Sequence, residues 1–427
     1  MMRKRFVFIL ALVLLGLFSV MAEEQAPSFI AIKGAKIIPV IGEDIEQGIV
    51  LIKDKVIEAV GKDVAIPEGA KIIEAEGLIV YPGMIDGLSR LGLQEIGSLR
   101  ATVDYRETGK FNPQAVCVEA LRPDSVHIPI ARANGITAAL VAPSGGLISG
   151  QSGLIRLTGW TPQEMVIKSP VAMHIDLPTI GRPRFQRATQ TQQEQASKQL
   201  KEIRELFKEV RIYQKQKNAA EKNALLPSPE FNELLEFLIP VVNGELPVMI
   251  SVHGEKDILD AIKFVKEEKL KAVFFDVTEG WKVAEEIKKS EIPVVFGSMY
   301  DMPPRWEDGY DSIFRNPGVL NQAGVKIAFS SSSASLAKDL PYQAAKAAAF
   351  GLDKREALKA VTIYPAQIFG VDDQMGSLEK GKLANIVVAD GDILELGTHI
   401  KHVFIEGAEA DLTTLYEELL EKYKKRN

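Results

Sequence analysis

The chain has 427 residues, of which 46% are hydrophobic and 25% are charged, and its formal net charge is −6 at pH 7. The charge is spread along the chain without a long run of one sign, which argues against nucleic acid and against an anionic membrane surface as partners. Cys117 is the only cysteine, so no disulfide can form within the chain and stability must come from apolar burial.

The first 22 residues have the order of a secretory signal peptide. Basic residues at 3–5 precede an apolar run from Phe6 to Phe18, and small side chains follow at Val20 and Ala22. The run is shorter than the roughly 18 to 20 residues of a membrane-spanning helix, and no cysteine directly follows Ala22 to carry a lipid. We therefore expect cleavage after Ala22 and an exported protein, periplasmic or extracellular, that is free of the membrane.

Short strands separated by turns are predicted near both ends of the mature chain. Their apolar and polar residues nearly alternate, as in a half-buried antiparallel sheet. The predicted strands are Phe29–Lys33, Lys36–Val40, Gly48–Lys53, Val56–Val60, Lys71–Glu74, Asn385–Ala389 and Val403–Glu406. We expect residues 23–77 and 371–411 to form one small composite β-sandwich, and residues 412–427 to end the chain with a helix at Leu412–Lys424.

Residues 78–370 change to an alternation of strand and helix. The predicted strands are Leu78–Ile85, Thr137–Ala142, Val171–Ile175, Pro247–His253, Ala272–Asp276, Ile292–Phe296 and Val325–Phe329, with an eighth suspected at Leu154–Leu157. Nearly continuous apolar strands alternating with helices indicate a parallel sheet covered on both faces. The expected fold class is α/β, a (β/α)₈ TIM-like barrel rather than an open doubly wound sheet.

An insertion from Arg184 to Leu238 is rich in Gln, Glu and Lys. Apolar residues spaced for one helical face stand at Leu200, Ile203, Phe207, Val210 and Tyr213. This pattern favours a helical hairpin packed on the side of the barrel over a partner-binding coiled coil.

The run Val80–Leu91 at the end of the first barrel strand resembles the opening strand of the amidohydrolase superfamily, in particular its imidazolonepropionase-like and dihydroorotase-like branch. Further matches follow in the family's order at residues 135–137, 324–328, 357–370 and 376–382. The resemblance implies the (β/α)₈ barrel with a composite sandwich. Since members of this family typically hydrolyse C–N bonds in cyclic amides, ureides or dipeptides with the help of one or two divalent metals such as zinc, the resemblance implies the same reaction for this chain.

The resemblance also implies where the metal ligands would stand. The family's His-x-His pair falls on Leu88 and Arg90, and neither side chain ligates a divalent cation. His253 matches the histidine after the fifth strand, the sixth-strand position falls at or next to Asp276, and the aspartate after the eighth strand falls at Ser332 or a neighbouring serine. The ligand on a middle strand has no assigned position, because the insertion obscures the register.

One matched histidine with a nearby aspartate is too little for a zinc site, which needs at least three protein ligands. We therefore expect no bound metal and no other cofactor. A protein that has lost most of its metal ligands would be either a binding protein or an enzyme with altered chemistry. His174 and Asp176 complete the candidate pocket for a small molecule at the barrel mouth. Strand-end polar residues such as these, and Asp86, are also explained by bonds to loop backbone.

Two alternatives stay open. The chain could be an active C–N hydrolase with a reduced or unusual site, or it could have a structural or assembly role in which the barrel mouth is an interface. Whether the chain forms a homo-oligomer stays open as well. Arg90 likewise has two interpretations. Its guanidinium could occupy the vacated metal position beside Asp276 or Asp176, or its stem could pack at the mouth while its head reaches solvent.

Three loops are expected on the same face as the candidate pocket. Pro143–Gln151 is glycine-rich, and a turn that needs positive φ explains it better than phosphate binding, because no Gly-Lys-Ser/Thr follows. Gly92–Pro113 and Ser298–Phe314 could form a roof. Their aromatic and arginine residues suit a planar or carboxylated ligand, and packing explains them equally well. These residues are Tyr105, Arg106, Tyr300, Arg305, Trp306 and Tyr310.

Overall fold

The computed structural model describes residues 28–178, 190–303 and 305–426. The predicted signal peptide and the start of the predicted insertion, at 184–189, lie outside the described residues. Within the described ranges, no helix combines the length and apolar character that crossing a membrane requires.

The strands of the described residues belong to two eight-stranded sheets. In chain order they are β1 (Phe29–Ile37), β2 (Ile45–Lys53), β3 (Val56–Gly61), β4 (Lys71–Glu74), β5 (Ile79–Pro82), β6 (Met84–Ser89), β7 (Ile136–Val141), β8 (Ile148–Arg156), β9 (Val166–Asp176), β10 (Val248–Ser251), β11 (Ala272–Phe275), β12 (Val294–Phe296), β13 (Ile327–Phe329), β14 (Ile386–Ala389), β15 (Ile400–Ile405) and β16 (Ala408–Glu409).

The α-helices of the same ranges are α1 (His127–Ala133), α2 (Pro162–Met165), α3 (Gln190–Lys222), α4 (Glu233–Val242), α5 (Glu255–Glu268), α6 (Ala284–Ser290), α7 (Ser312–Gln322), α8 (Leu340–Ala349), α9 (Lys354–Lys359), α10 (Ile363–Phe369) and α11 (Leu415–Lys424).

The first sheet combines strands from both ends of the chain, as expected for the composite β domain. Its order is β16-β15-β14-β5-β1-β2-β3, with β4 also paired to β1. The junction is β5, which pairs parallel to β1 and antiparallel to β14, with Tyr81 opposite Val387. Inward-facing Ile32, Ile52 and Phe404 are fully buried in its core.

The predicted strand Leu78–Ile85 is two strands that belong to different sheets. The chain leaves the composite sheet after β5 and enters the barrel at β6, and Gly83 stands between them. A Cβ at Gly83 would lie 2.2 Å from the Thr137 hydroxyl, so only glycine lets the two segments approach this closely.

The second sheet is the barrel, and its strands lie side by side in chain order from β6 to β13. The expected eight strands are confirmed, and the suspected one at Leu154–Leu157 is the end of β8. The sheet is not wholly parallel, however, because β8 runs antiparallel to both β7 and β9. A short connection through Gly145 and Gly146, with φ of +103° and +76°, joins β7 to β8 without the crossover helix that parallel strands need.

The barrel closes where the first and last strands meet, as the backbone amide of Ser332 donates to the carbonyl of Leu88 at 3.0 Å. Apolar side chains from all eight strands fill the interior, as in other barrels of this kind. They include Ile85, Leu88, Leu140, Leu154, Ala172, Met249, Val273, Val295 and Ala328.

The inserted helices α3 and α4 lie against the outside of the barrel. Phe207 of α3 is fully buried, with its ring centroid 6.1 Å from that of Phe264 in α5. Arg204 and Arg211 pair with Glu268 at the end of α5, at 3.0 and 2.8 Å. The last helix, α11, starts three residues later than predicted, after the capping box of Thr414.

Candidate functional site

The mouth of the barrel is the edge where the parallel strands β6, β7 and β9–β13 have their carboxyl ends. Every candidate site residue lies on a barrel strand near this edge or directly after one. The positions are Arg90 after β6, His174 and Asp176 on β9, His253 after β10, Asp276 after β11 and Ser332 after β13.

Arg90 does not form the ion pair with Asp276 or Asp176 that the first of its two interpretations expects. Its guanidinium lies 4.5 Å from the ring centroid of Tyr105, and Nη1 donates to the backbone carbonyl of Ala142. Among the described residues no carboxylate is within ion-pair distance of it, and the residue as a whole is half-buried. Burial lowers the pKa of Arg90 to about 10, although charges including that of Asp176 oppose this. The side chain therefore remains a cation, stacked on an aromatic ring.

The glycine-rich turn holds the Tyr105 loop in place. The Ser144 amide donates to the Tyr105 carbonyl at 2.8 Å, and the Leu147 amide donates to the Lys110 carbonyl at 2.7 Å. A Cβ at Gly146 would lie 2.8 Å from the Lys110 carbonyl oxygen. Of the predicted loop Pro143–Gln151, the part from Ile148 onward is in β8, and the glycines before it allow the close packing of the roof.

His174 is a buried histidine with an unpaired nitrogen. Its exposed fraction is 7%, and its Nε2 atom has no hydrogen-bond partner among the described residues. Burial, assisted by the charge of Arg90, lowers the pKa of His174 to about 3. The imidazole is therefore neutral at physiological pH. Asp176 lies two residues further along β9, on the strand that also carries His174 to the mouth.

His253 and Asp276 form a pair, with 3.1 Å between Nδ1 and Oδ2. Burial lowers the pKa of His253, but the hydrogen bond and charge of Asp276, with the charge of Asp257, outweigh burial and leave the pKa raised. Asp276 has a left-handed backbone with φ of +59°, which is rare outside glycine and concentrates at functional sites. Its Oδ1 would lie 2.6 Å from a Cβ at Gly297.

The serines after β13 bond to one another and to Asp86. Ser332 has φ of +55°, and its hydroxyl lies 3.0 Å from that of Ser330. Asp86 is fully buried and accepts from the Ser331 amide at 2.8 Å and from the Ser331 hydroxyl. Asp86 thus bonds to loop backbone.

In the second roof loop, Ser298–Phe314, Arg305 forms an ion pair with a buried glutamate. Its Nε lies 2.7 Å from Oε1 of Glu279, whose side chain is fully buried, and Lys282 lies 2.9 Å from the same oxygen. Glu279 is not predictable from the sequence, since nothing local to it marks a contact with a residue 26 positions away. Trp306, beside Arg305, is 94% exposed. Arg305 anchors this loop and is not free to bind a carboxylate.

These side chains do not fit the metal centre that the resemblance implies. Leu88 is buried in the apolar interior, Arg90 is a cation, and His253 directs Nδ1 to Asp276. In the described part of the chain, no three His, Cys, Asp or Glu side chains are grouped so that they could hold a metal ion. The donor set falls short of the three protein ligands that zinc requires.

Residues 245–414 match the model of the amidohydrolase family. The structure is similar to that of an amidohydrolase from Thermotoga maritima MSB8, with a TM-score of 0.79 and 25% identity over 90% of this chain and 99% of the other. Phenylurea hydrolase B shares the fold, with a TM-score of 0.55 and 16% identity over 90% of this chain and 97% of the other.

Among curated proteins, Amidohydrolase tasK of Hapsidospora irregularis is 22% identical over 369 residues, which are 80% of this chain and 37% of that protein. A stretch of 43 residues, 10% of this chain and 11% of the other, is 44% identical to N-acetylglucosamine-6-phosphate deacetylase of Haemophilus influenzae. The chain spans 11% to 37% of the length of the curated relatives it matches. The family match and the shared fold confirm the resemblance to the amidohydrolase superfamily.

Proposed function

We propose that this chain is an exported protein of the amidohydrolase superfamily that binds a small molecule at its barrel mouth without a metal ion. The observation that carries the proposal is the position of Arg90. A permanently charged guanidinium stands where the family's second histidine would bind a divalent cation, and it is fixed there by Tyr105 and the Ala142 carbonyl. Like charges repel strongly in a partly buried site.

Metal content tests this proposal directly. We expect purified mature protein, dialysed against a weak chelator, to contain less than about 0.1 divalent metal ion per chain, because the residues that the structure describes bring no three metal-ligating side chains together. We also expect added zinc to bind without a saturable one-to-one phase in calorimetry. About one zinc or manganese per chain after dialysis would overturn the proposal.

A second candidate function is hydrolysis of a C–N bond without metal, which the His253–Asp276 pair favours. The carboxylate orients the imidazole through Nδ1 at 3.1 Å, which leaves Nε2 to accept a proton from an attacking water. On this alternative the protein hydrolyses a cyclic amide, a ureide or a dipeptide in the presence of chelator.

A matched histidine provides the control for this alternative. His402 also pairs with a carboxylate, that of Glu409 at 2.7 Å, but in the composite sheet. His253→Gln should lower any chelator-resistant turnover by roughly 100-fold or more, and His402→Gln should leave it unchanged. Equal turnover in both variants, or no turnover of any substrate class, would exclude the second candidate.

Export is the remaining part of the proposal and rests on the order of charged, apolar and small residues up to Ala22. Expression of the full chain in a bacterial host should give a mature product that begins at Glu23. Mass spectrometry of the periplasmic fraction measures this. A product that retains Met1, or that stays with the membrane pellet, would contradict export with cleavage.

A further inference from the structure

Two guanidiniums without an ion-pair partner lie near the ring of Tyr105. Arg106 follows Tyr105 in the first roof loop, and its guanidinium lies 5.3 Å from the same ring centroid that Arg90 faces at 4.5 Å. Neither arginine is within ion-pair distance of a carboxylate in the described part of the chain. The charge of Asp176 raises the pKa of Arg90, while the charge of Arg106 lowers it.

One buried nitrogen near these arginines lacks a hydrogen-bond partner. Nε2 of His174, in a side chain that is 7% exposed, has none among the described residues. Arg90 donates Nη1 to the Ala142 carbonyl, and its other nitrogens make no hydrogen bond with a described residue. Buried polar nitrogens are almost always hydrogen-bonded in folded proteins, so Nε2 of His174 indicates a missing partner, which is an acceptor when Nε2 carries the imidazole proton.

We propose that Arg90, Arg106 and His174 form a subsite for the carboxylate group of a small-molecule ligand. This inference rests on the proposed metal-free binding function and names the class of ligand. A carboxylate offers two oxygens in the plane that a guanidinium fork recognises, and its negative charge suits two guanidiniums that no described carboxylate pairs with. A phosphate dianion suits the subsite less, because Asp176 would repel its second charge.

The small number of histidines allows a direct test in the intact mature protein. The chain has five, so labelling with ¹³Cε1-histidine gives a spectrum in which His174 is assigned by one His174→Gln variant. Acetate, acetamide and inorganic phosphate are the probes, titrated at pH 7 and constant ionic strength. We expect a saturable shift of the His174 resonance with acetate, no shift with acetamide, and at least a fivefold weaker response to phosphate.

Two charge-removing variants show whether the arginines contribute. Arg106→Gln should weaken acetate binding at least fivefold, and because Arg106 is exposed the variant should fold normally. Arg122→Gln is the matched control, since that half-buried arginine is already paired with Asp104 at 3.1 Å, and it should leave acetate binding unchanged. Equal responses to acetate and acetamide, no saturable shift with acetate, or equal acetate binding by the two variants would overturn the subsite.

Metal analysis of the same samples separates this inference from the function on which it rests. A metal-free protein that fails the acetate test loses the carboxylate subsite and keeps the proposed metal-free binding function. A protein with about one metal per chain loses the proposed function itself.

Discussion

Asp86 and Ser331 join the two ends of the barrel through a side chain. Oδ1 of Asp86, in the first barrel strand, accepts from the Ser331 amide at 2.8 Å, and Oδ2 accepts from the Ser331 hydroxyl beyond the last strand. The Leu88 amide also donates to Oδ1, at 3.3 Å. A fully buried carboxyl group therefore supports the closure that the backbone bond between Ser332 and Leu88 begins.

Burial raises the pKa of Asp86 from 3.8 to about 7, against the opposing effect of the Ser331 hydrogen bonds. Between these values the folded state keeps a proton that the unfolded state releases, so the contribution of Asp86 to stability is complete below about pH 4 and is lost as the pH rises towards 7. We expect the free energy of unfolding of the parent, relative to Asp86→Asn, to fall by at most about 1.4 kcal/mol per pH unit in this window.

Urea denaturation of both proteins at pH 5 and pH 8 measures this difference. Asp411→Asn is the control, because hydrogen bonds from Thr413 lower the pKa of that aspartate and the cation near it is Arg132, which stays charged, so its effect should not change between pH 5 and pH 8. A stability difference between the parent and Asp86→Asn that is the same at both pH values would contradict the prediction.

The stack of Arg90 on Tyr105 predicts a measurable coupling energy. In a double-mutant cycle of Arg90→Met and Tyr105→Leu, we expect a coupling of about 1 kcal/mol in the free energy of unfolding, the range of a partly desolvated cation–π pair. Arg90→Met alone should cost less than the roughly 3 to 5 kcal/mol expected for breaking a buried ion pair, because no carboxylate in the described residues pairs with it.

The cycle of Arg106→Met with Tyr105→Leu is the control. Arg106 is exposed and its guanidinium lies further from the ring, at 5.3 Å, so its coupling should be below about 0.5 kcal/mol. Equal coupling in the two cycles, or a cost of about 4 kcal/mol for Arg90→Met, would show that Arg90 is held by something other than Tyr105.

The barrel was predictable because the strand signal is local. Continuous apolar runs such as the one that contains Met249 and Ile250 identify a buried strand from a few neighbouring residues. The direction of β8 was not predictable in this way, since it depends on a turn at Gly145 and Gly146 that also packs on the distant Lys110. The passage of the chain from one sheet to the other at Gly83 depends similarly on its fit to Thr137.

The candidate site was also predictable only in part: the positions of its residues could be predicted, but their bonding partners could not. The resemblance identifies which positions follow each strand, and the structure puts Arg90, His253 and Asp276 at one edge of the sheet. What each side chain bonds to was beyond the sequence, because the partners come from loops far along the chain. Tyr105 reaches Arg90 through its backbone bond to Ser144, and no local pattern encodes such a contact.

The second roof loop should lose its anchor when Arg305 is replaced. In Arg305→Gln the bidentate contact with the buried Glu279 is gone, at Nε–Oε1 of 2.7 Å and Nη2–Oε2 of 3.3 Å. Lys282 still balances the acid, so the fold should persist while residues 298–311 open more often. Hydrogen exchange of that segment should accelerate about tenfold or more.

Arg315→Gln controls for the loss of a cation from the same region. Arg315 pairs with Asp311 at 3.1 Å, and its side chain is 56% exposed, so its loss should be nearly neutral. If the two variants exchange alike, Arg305 does not hold the loop.

The His253–Asp276 pair depends on the absence of a side chain at Gly297. A Cβ there would lie 2.6 Å from Oδ1 of Asp276 and 3.4 Å from its Cβ, so Gly297→Ala must displace the carboxylate. Without that partner, burial is the main influence on His253, and burial lowers its pKa. A ¹³Cε1-histidine titration should therefore show a lower His253 pKa in Gly297→Ala than in the parent protein. Gly397→Ala, with open space at its Cβ, should leave that pKa unchanged, and an unshifted His253 in both variants would mean that Asp276 does not set it.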